Sequence, residues 1–565
     1  MLDSHDIPGT AANLIIGVTG HRLLNDAELP ALRAQVQAFF HDLRSHYPQL
    51  PLVLLSSLAE GSDQLAAQVA IELGLRVIAP LPVPVELYRA DFDTAEALAT
   101  FERQLLQAEP LTLPVLNGNS LAGIASKGRE RDQQYAQAGI FISSHCHILL
   151  ALWDGRDSGF VGGTAQVVRF HLHGEMPGQF ELRQAALARL GLDEETLIFH
   201  VPAVRQGEVP VASPQGRWMT AELEQAGHGQ MPAAFDMMFR RQVQFNADLG
   251  KYTKVIHSAD APEPFPAACP IHRMFCATDW LASLYQRRVS HVLRTTYMLA
   301  ALMGFALILY SGNASHRMIY LFLAFFLFGV GITGIAKRRE WHRKYLDYRS
   351  LAEGLRVQSY WRRAGIADIN TLFFAHDNFL QKQDVELGWI RNVMRGASLE
   401  GMLLIAPSDD AQVDRVVEQW IGSLEQGGQL HYYAVTAARR ERLHRRTELM
   451  GACCLWLGIG ISLLLAFFVG TFGPTLQSAL VGAMGVLSVA AGVQDAYAYK
   501  KADKELIKQY RFMLRIFNAA RRRLDGCRDA AEKRQVLRTL GEAALAEHAE
   551  WTLMHRERPL DHSRL

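Results

Sequence analysis

The sequence predicts an α/β, doubly wound parallel sheet in the N-terminal part. An all-α membrane region of two transmembrane hairpins with long cytoplasmic helices follows. Three observations lead there. Short apolar runs alternate with helical-period segments between Leu14 and Leu152. Two long stretches, Thr295–Ala336 and Leu449–Gln494, are almost free of charge, with Arg317 the one charge in the first. Clusters of Lys and Arg flank both.

At 565 residues the chain has room for three or four domains. A net charge of +1, with the basic residues gathered beside apolar segments, argues against a nucleic-acid partner. The polar start Met1–Asp6 is unlike a secretory signal peptide. Six cysteines without framework spacing suit a reducing compartment. Cys269-Pro-Ile-His272 with Cys276, and His145-Cys146-His147, lack a complete zinc ligand set, so no metal is expected.

Leu14–Val18 reads as a buried strand stopped by Thr19-Gly20-His21-Arg22, and Ala27–His46 as the helix after it, with Pro30 tolerable in its first turn. Leu52–Leu55 is the second strand, Ser56–Asp63 its loop and Gln64–Leu73 its helix. Arg76–Ala79 is a third strand, Leu111–Leu116 a fourth and Ile148–Leu152 a fifth, with a helix over Asp132–Ser143. Strands alternating with helices make a mostly parallel sheet, which binds ligands outside the carboxyl ends of its strands. Leu197–Val201 reads as a strand extending the sheet, Phe235–Tyr252 as a helix and Ala261–Pro270 as a linker.

The unusual polar loops all fall at those carboxyl ends. One carries Gly20, His21 and Arg22, and another Ser57, Glu60, Gly61 and Asp63. The third runs from Trp153-Asp154-Gly155 to Gly162-Gly163-Thr164 and opens a helix over Ala165–His171. Glycines let a backbone approach a phosphate, and helix N-termini favour anions. Arg22 suits phosphate. Asp63 sits where a helix cap or a ribose contact is expected. Asp154, a carboxylate among glycines, is expected to be functional, and Trp153 either stacks a base or fills core.

Ile16–Arg22, the Ser57…Glu60-Gly61…Asp63 loop, Leu152–Gly155 and Gly162–Thr164 together resemble the SLOG superfamily of Rossmann-like nucleotide-binding domains. The resemblance covers roughly residues 12–175, within a domain expected over 12–270 whose remainder, 176–270, is an extension. It implies a nucleotide or NAD-derived ligand. Relatives called lonely-guy phosphoribohydrolases continue the glycine motif into a catalytic Glu. Here Val167 follows Gln166 at that place, so the departure points away from catalysis.

Each hairpin arm is long enough, at about 1.5 Å per residue, to cross a hydrocarbon core of roughly 30 Å. The spans are expected near 295–311, 318–336, 450–470 and 478–498, with turns at Ser311–Ser315 and Thr471–Pro474. Arg287, Arg288 and Arg294 precede the first hairpin and Lys337, Arg338 and Arg339 follow it. Arg439–Arg446 and Lys500–Lys504 flank the second, so all ends and both termini are expected on the cytoplasmic side. Tyr348 to Trp389 and Tyr510 to Trp551 are both 41 residues apart, which reads as an internal duplication. Tyr348-Arg349…Ala352-Glu353…Leu355-Arg356 and Glu550-Trp551 resemble the SLATT family, two-transmembrane effector domains found beside SLOG domains in bacterial defence systems. Two such units are expected, over 271–400 and 429–560, joined by a linker over 401–428.

The expected function is that of a homo-oligomeric bacterial inner-membrane effector, which senses a nucleotide or NAD-derived signal through its α/β domain, disrupts or permeabilises the lipid bilayer through its transmembrane hairpins, and acts in antiviral defence. A membrane-anchored nucleotide or NAD glycohydrolase using Glu60 or Asp154 is the alternative, and a membrane scaffold with a purely structural α/β domain a third reading.

Overall fold

The structure, a computed structural model, describes residues 11–157, 159, 161–174, 176, 196–209, 215–221, 229–258, 269–313, 316–366, 379–380, 385–403, 410–501 and 503–556. The chain forms two compact units, one of residues 1–278 with 350–407, the other of 279–349 with 408–565. The linker expected at Ala261–Pro270 lies outside the described residues except for its last two, and Ala314–Ser315 of the first hairpin turn lie outside them too.

The first unit is built on a seven-stranded sheet. Its strands are β1 (Leu14–Gly20), β2 (Leu52–Leu55), β3 (Arg76–Leu81), β4 (Glu109–Thr112), β5 (Ile148–Trp153), β6 (Ile198–Pro202) and β7 (Arg217–Met219), in the order β4-β3-β2-β1-β5-β6-β7. All neighbours are parallel except β6 and β7. The near-continuous Leu, Ile and Val of the central strands follow from burial on both faces. Helices α1 (Leu29–His46), α2 (Ser62–Glu72), α3 (Val85–Tyr88), α4 (Ala95–Leu105), α5 (Leu121–Ile124), α6 (Arg129–His145) and α7 (Thr164–His173) fill the crossovers, and α8 (Ala233–Ser258) follows β7. Pro30 sits in the first turn of α1, where a missing N–H costs nothing.

The fourth strand begins two residues before the expected Leu111. It is a sheet edge, so a charged residue and a proline are tolerated there, and Arg76 of β3 holds Glu109 at 2.6 and 2.7 Å.

Three later helices are α9 (Pro270–Asn313), α10 (His316–Arg338) and α11 (Trp341–Arg363). After them α12 (Gly388–Leu403) returns to the sheet. Its Leu399 and Met402 share a core with Ile15, Phe141 and Leu149, its Glu400 pairs with Arg76, and Asn392 O meets His147 Nε2 at 3.0 Å. Residues 388–400 therefore belong to the α/β unit and not to the first membrane unit expected over 271–400. Trp389 accordingly packs near Phe245, with centroids 5.7 Å apart.

In the second unit α13 (Asp410–Val416) and a π-helical turn, Val417–Ile421, occupy part of the stretch read as a linker. Then come α14 (Gly428–Phe468), α15 (Pro474–Lys501), α16 (Asp503–Leu524) and α17 (Ala530–Arg556). Among the described residues, four helical stretches, Pro270–Ser311, Arg317–Arg338, Gly428–Phe468 and the one that opens at Pro474 with α15, are long and apolar enough to cross a membrane. This is a membrane protein. A Cβ on Gly304 would lie 2.5 Å from Val489, and one on Gly485 would lie 3.2 Å from Ile308, so glycines bring α9 against α15. Tyr297 donates to Ala496 O at 3.2 Å along the same seam.

The two hairpins share an ion pair at equal spacing. Arg349 reaches Asp279 at 2.8 Å and Arg511 reaches Glu441 at 2.6 Å, each across 70 residues. Trp551 instead meets Tyr345 edge-on at 6.1 Å, inside a cluster of Leu346 and Leu506. The matched tryptophans thus lie in different units.

Candidate functional site

The site starts from how closely two strand-end loops approach. The Ser62 hydroxyl and N–H both donate to His21 O, at 2.9 and 3.0 Å. A Cβ on Gly20 would lie 2.3 Å from Ser62 Oγ, and one on Gly61, at φ 87°, would lie 2.1 Å from Arg22 O. Both glycines are thus required by packing at the carboxyl ends of β1 and β2.

At the end of β5, Gly163 caps α7 and Gly162, at φ 70°, donates its N–H to Gln166 Oε1 at 2.9 Å. The Thr164 hydroxyl donates to Gly20 O at 2.8 Å, tying this turn to β1. The N–H groups of Thr164 and Ala165 open α7 and have no carbonyl within the helix to bond, whereas that of Gln166 donates to Gly163 O at 3.0 Å.

These loops border a cleft of about 570 Å³. Gly20, His21, Arg22, Ser57 and Asp63 line it from one side, Gly162, Gly163 and Thr164 from another. Tyr88, Asp91, Arg131 and Tyr135 form the β3 end, and Lys127 and Arg205 add positive charge. The Arg22 guanidinium lies 4.9 Å from the Tyr135 ring centre. Asp91 accepts from the Tyr135 hydroxyl and from Arg131 at 2.6 Å. Arg205 reaches the site through the Leu24–Arg205 bridge. Burial pushes the Asp63 carboxyl up to about 7, against the pull of Arg22 and of backbone hydrogen bonds at Ala59 and Ser57.

No family model, no curated protein and no solved structure matches this chain. What the cleft can do rests on its residues alone. Its wall has donors for an anion in the α7 N-terminus and the cations, and a carboxyl that holds a proton near neutral pH.

The sequence-derived residues divide accordingly. Asp63 is on the cleft wall at the second position of α2, and Gly61 is the cap position, so the capping role considered for Asp63 does not occur. Ser57 lines the cleft while donating to Pro80 O at 2.9 Å. Glu60, Gly61, Trp153, Asp154 and Gly155 are outside the lining. Asp154 has a structural use after all. Its carboxylate lies 3.3 Å from His21 Nε2 and accepts the Arg156 N–H at 2.9 Å, an Asx turn. Trp153 Nε1 donates to Arg156 O at 3.0 Å, which anchors the same turn.

Among the described residues, no three His, Cys, Asp or Glu converge as metal ligands. His147 sits between the Ile15 N–H at 3.2 Å and Asn392 O at 3.0 Å, and His272 pairs with Cys276 at 3.4 Å on one helix.

Tyr88, Asp91, Arg131 and Tyr135 escaped the sequence reading. Arg131 and Tyr135 look like ordinary positions on an amphipathic helix, and only the fold brings Asp91 to them.

Proposed function

We infer that the cleft binds a nucleotide or NAD-derived signal and that binding biases the membrane hairpins toward a permeabilising state. The carrying observation is the cleft itself: a glycine turn opening α7, with Arg22, Lys127 and Arg205 nearby, at the carboxyl ends of parallel strands. A ligand acts this way only by binding one hairpin arrangement better than another. Lys and Arg beside every span support cytoplasmic ends for both hairpins, in a bacterial inner membrane. Gly331, Gly334, Gly458, Gly460, Gly482 and Gly492 have nothing within 4 Å of an added Cβ, which supports assembly through these faces into a homo-oligomer. Membership in the SLOG and SLATT families, and a role in antiphage defence, rest on the motif resemblance. Val167 supports a sensor. At the place of the missing Glu it packs on Gly139, where a Cβ would come within 2.5 Å.

Dye release from liposomes holding the full-length protein tests this across nucleoside monophosphates, NAD and ADP-ribose. Release with one compound, lost in Arg22→Glu, is expected. Release without any nucleotide, unchanged by Arg22→Glu, would refute it.

One observation favours the glycohydrolase reading: Asp63 lines the cleft, where Glu60 and Asp154 do not, and burial pushes its carboxyl up to about 7, which suits the general-acid role. Product formed from NAD or a nucleoside monophosphate, and lost in Asp63→Asn, is its signature.

A further inference from the structure

The hydroxyl of Tyr88 is the least explained group in the cleft. Tyr88 is 1% exposed and lines the cleft, and its ring is packed edge-on against Phe92 and Phe101, both at 5.4 Å. Its Oη has no hydrogen-bond partner among the described residues. Buried polar atoms are nearly always satisfied, and phenylalanine would supply the same packing without the oxygen. Burial holds the phenol well above its usual range, so it remains a donor. Asp63 lines the same cleft, 8% exposed.

The sheet order fixes where this end lies. From β5 the neighbours are β1, β2 and β3. Three steps of about 4.8 Å separate the glycine turn after β5 from Tyr88 beyond β3, roughly 14 Å in all. Tyr135 bridges the two ends: a Cβ on Gly162 would lie 3.3 Å from its backbone carbonyl carbon, and its ring lies 6.1 Å from that of Tyr88, so a ligand held by its phosphate at the turn extends toward Tyr88.

We propose that Tyr88 and Asp63 form a nucleoside subsite, hydrogen-bonding an uncharged sugar or base group of a ligand whose phosphate lies at Gly162–Thr164. The proposal rests on the nucleotide reading above and adds which residues tell a nucleotide from a bare phosphate. Arg22, between the two ends, contributes to phosphate and nucleoside binding alike. Asp91 lines the cleft too, but its carboxylate is engaged by Tyr135 and Arg131.

Equilibrium dialysis of the full chain in detergent micelles tests this with AMP, GMP, UMP, NAD, ribose 5-phosphate and inorganic phosphate. A nucleotide is expected to bind more tightly than inorganic phosphate. Tyr88→Phe, which keeps the ring packing, should weaken the best nucleotide about tenfold and leave inorganic phosphate unchanged. Asp63→Asn, of equal shape, should act on the same probe. Weakening carried over to ribose 5-phosphate places the contact on the sugar, and weakening absent there places it on the base. Nucleotide binding untouched by both variants overturns the subsite while leaving the nucleotide reading intact. Equal loss for nucleotide and inorganic phosphate also overturns it. No nucleotide bound by the unaltered protein sinks that reading, and the subsite with it.

Discussion

His21 Nε2 accepts the Asp154 backbone N–H at 3.2 Å and lies 3.3 Å from the Asp154 carboxylate, with both side chains almost completely buried. Burial lowers the His21 pKa below 6.5, and the Asp154 carboxylate works against that shift. Removing the charge should therefore lower it further. In Asp154→Asn, histidine-resolved NMR should find His21 titrating at lower pH than in the unaltered protein. Asp154→Ala also loses the acceptor for the solvent-exposed Arg156 N–H, and should cost about 0.5–1.5 kcal/mol of unfolding free energy. An Ala variant that melts like the unaltered protein would contradict this.

The glycines of the strand-end loops are not equivalent. Gly61 and Gly155 both have positive φ, 87° and 83°, but a Cβ on Gly61 meets the Arg22 carbonyl while one on Gly155 meets nothing within 4 Å. Gly155→Ala should cost about 1–2 kcal/mol, the left-handed strain alone. Gly61→Ala adds a backbone clash and should cost clearly more, separating β1 from β2 at the cleft. Thermal unfolding of the two variants side by side decides it.

Much of this organisation is legible in the sequence, and the reason is periodicity. Leu52–Leu55 reads as a strand because four apolar residues stand between turn signals, and Arg76–Ala79 reads as the start of a strand that runs on to Leu81. The membrane helices announce themselves by missing charge. What could not be read depends on long-range proximity. Asp91 meets Arg131 across 40 residues, and α12 lies on the sheet because Leu399 and Met402 find Ile15 and Leu149. Asp154 was legible as unusual, but its partner His21 lies 133 residues away, so its structural use was not.

Three buried histidines set an acid limit. His145, His147 and His171 have pKa values lowered to about 4, 3 and 4 by burial, with Arg395 adding repulsion. Below 6.5 the unfolded chain takes up protons that the folded chain refuses, so stability falls as pH falls. The loss begins near pH 6.5 and ends near 4 for His145 and His171, lower for His147. Each of the first two contributes roughly 3 kcal/mol across that window. The melting temperature in detergent should drop steeply between pH 6.5 and 4, and His145→Leu should flatten the slope. A flat profile over that range would show that these groups are charged in the folded state.

The glycines of the membrane helices split into two kinds, and variants should separate them. Gly304 lies against Val489, whose Cγ1 stands 2.5 Å from the position of an added Cβ, whereas Gly460 has nothing within 4 Å. Gly304→Leu must force α9 away from α15, together with the Tyr297–Ala496 hydrogen bond, at about 1–3 kcal/mol. It should lower the melting temperature of the detergent-solubilised protein at any concentration. Gly460→Leu strains nothing within one chain and should leave that temperature unchanged in dilute detergent. If α14 packs on a second copy through this face, the same variant should reduce chemical crosslinking in liposomes. A Gly304→Leu protein with unaltered melting would contradict the α9–α15 seam, and undiminished crosslinking in Gly460→Leu would place any assembly on another helix face.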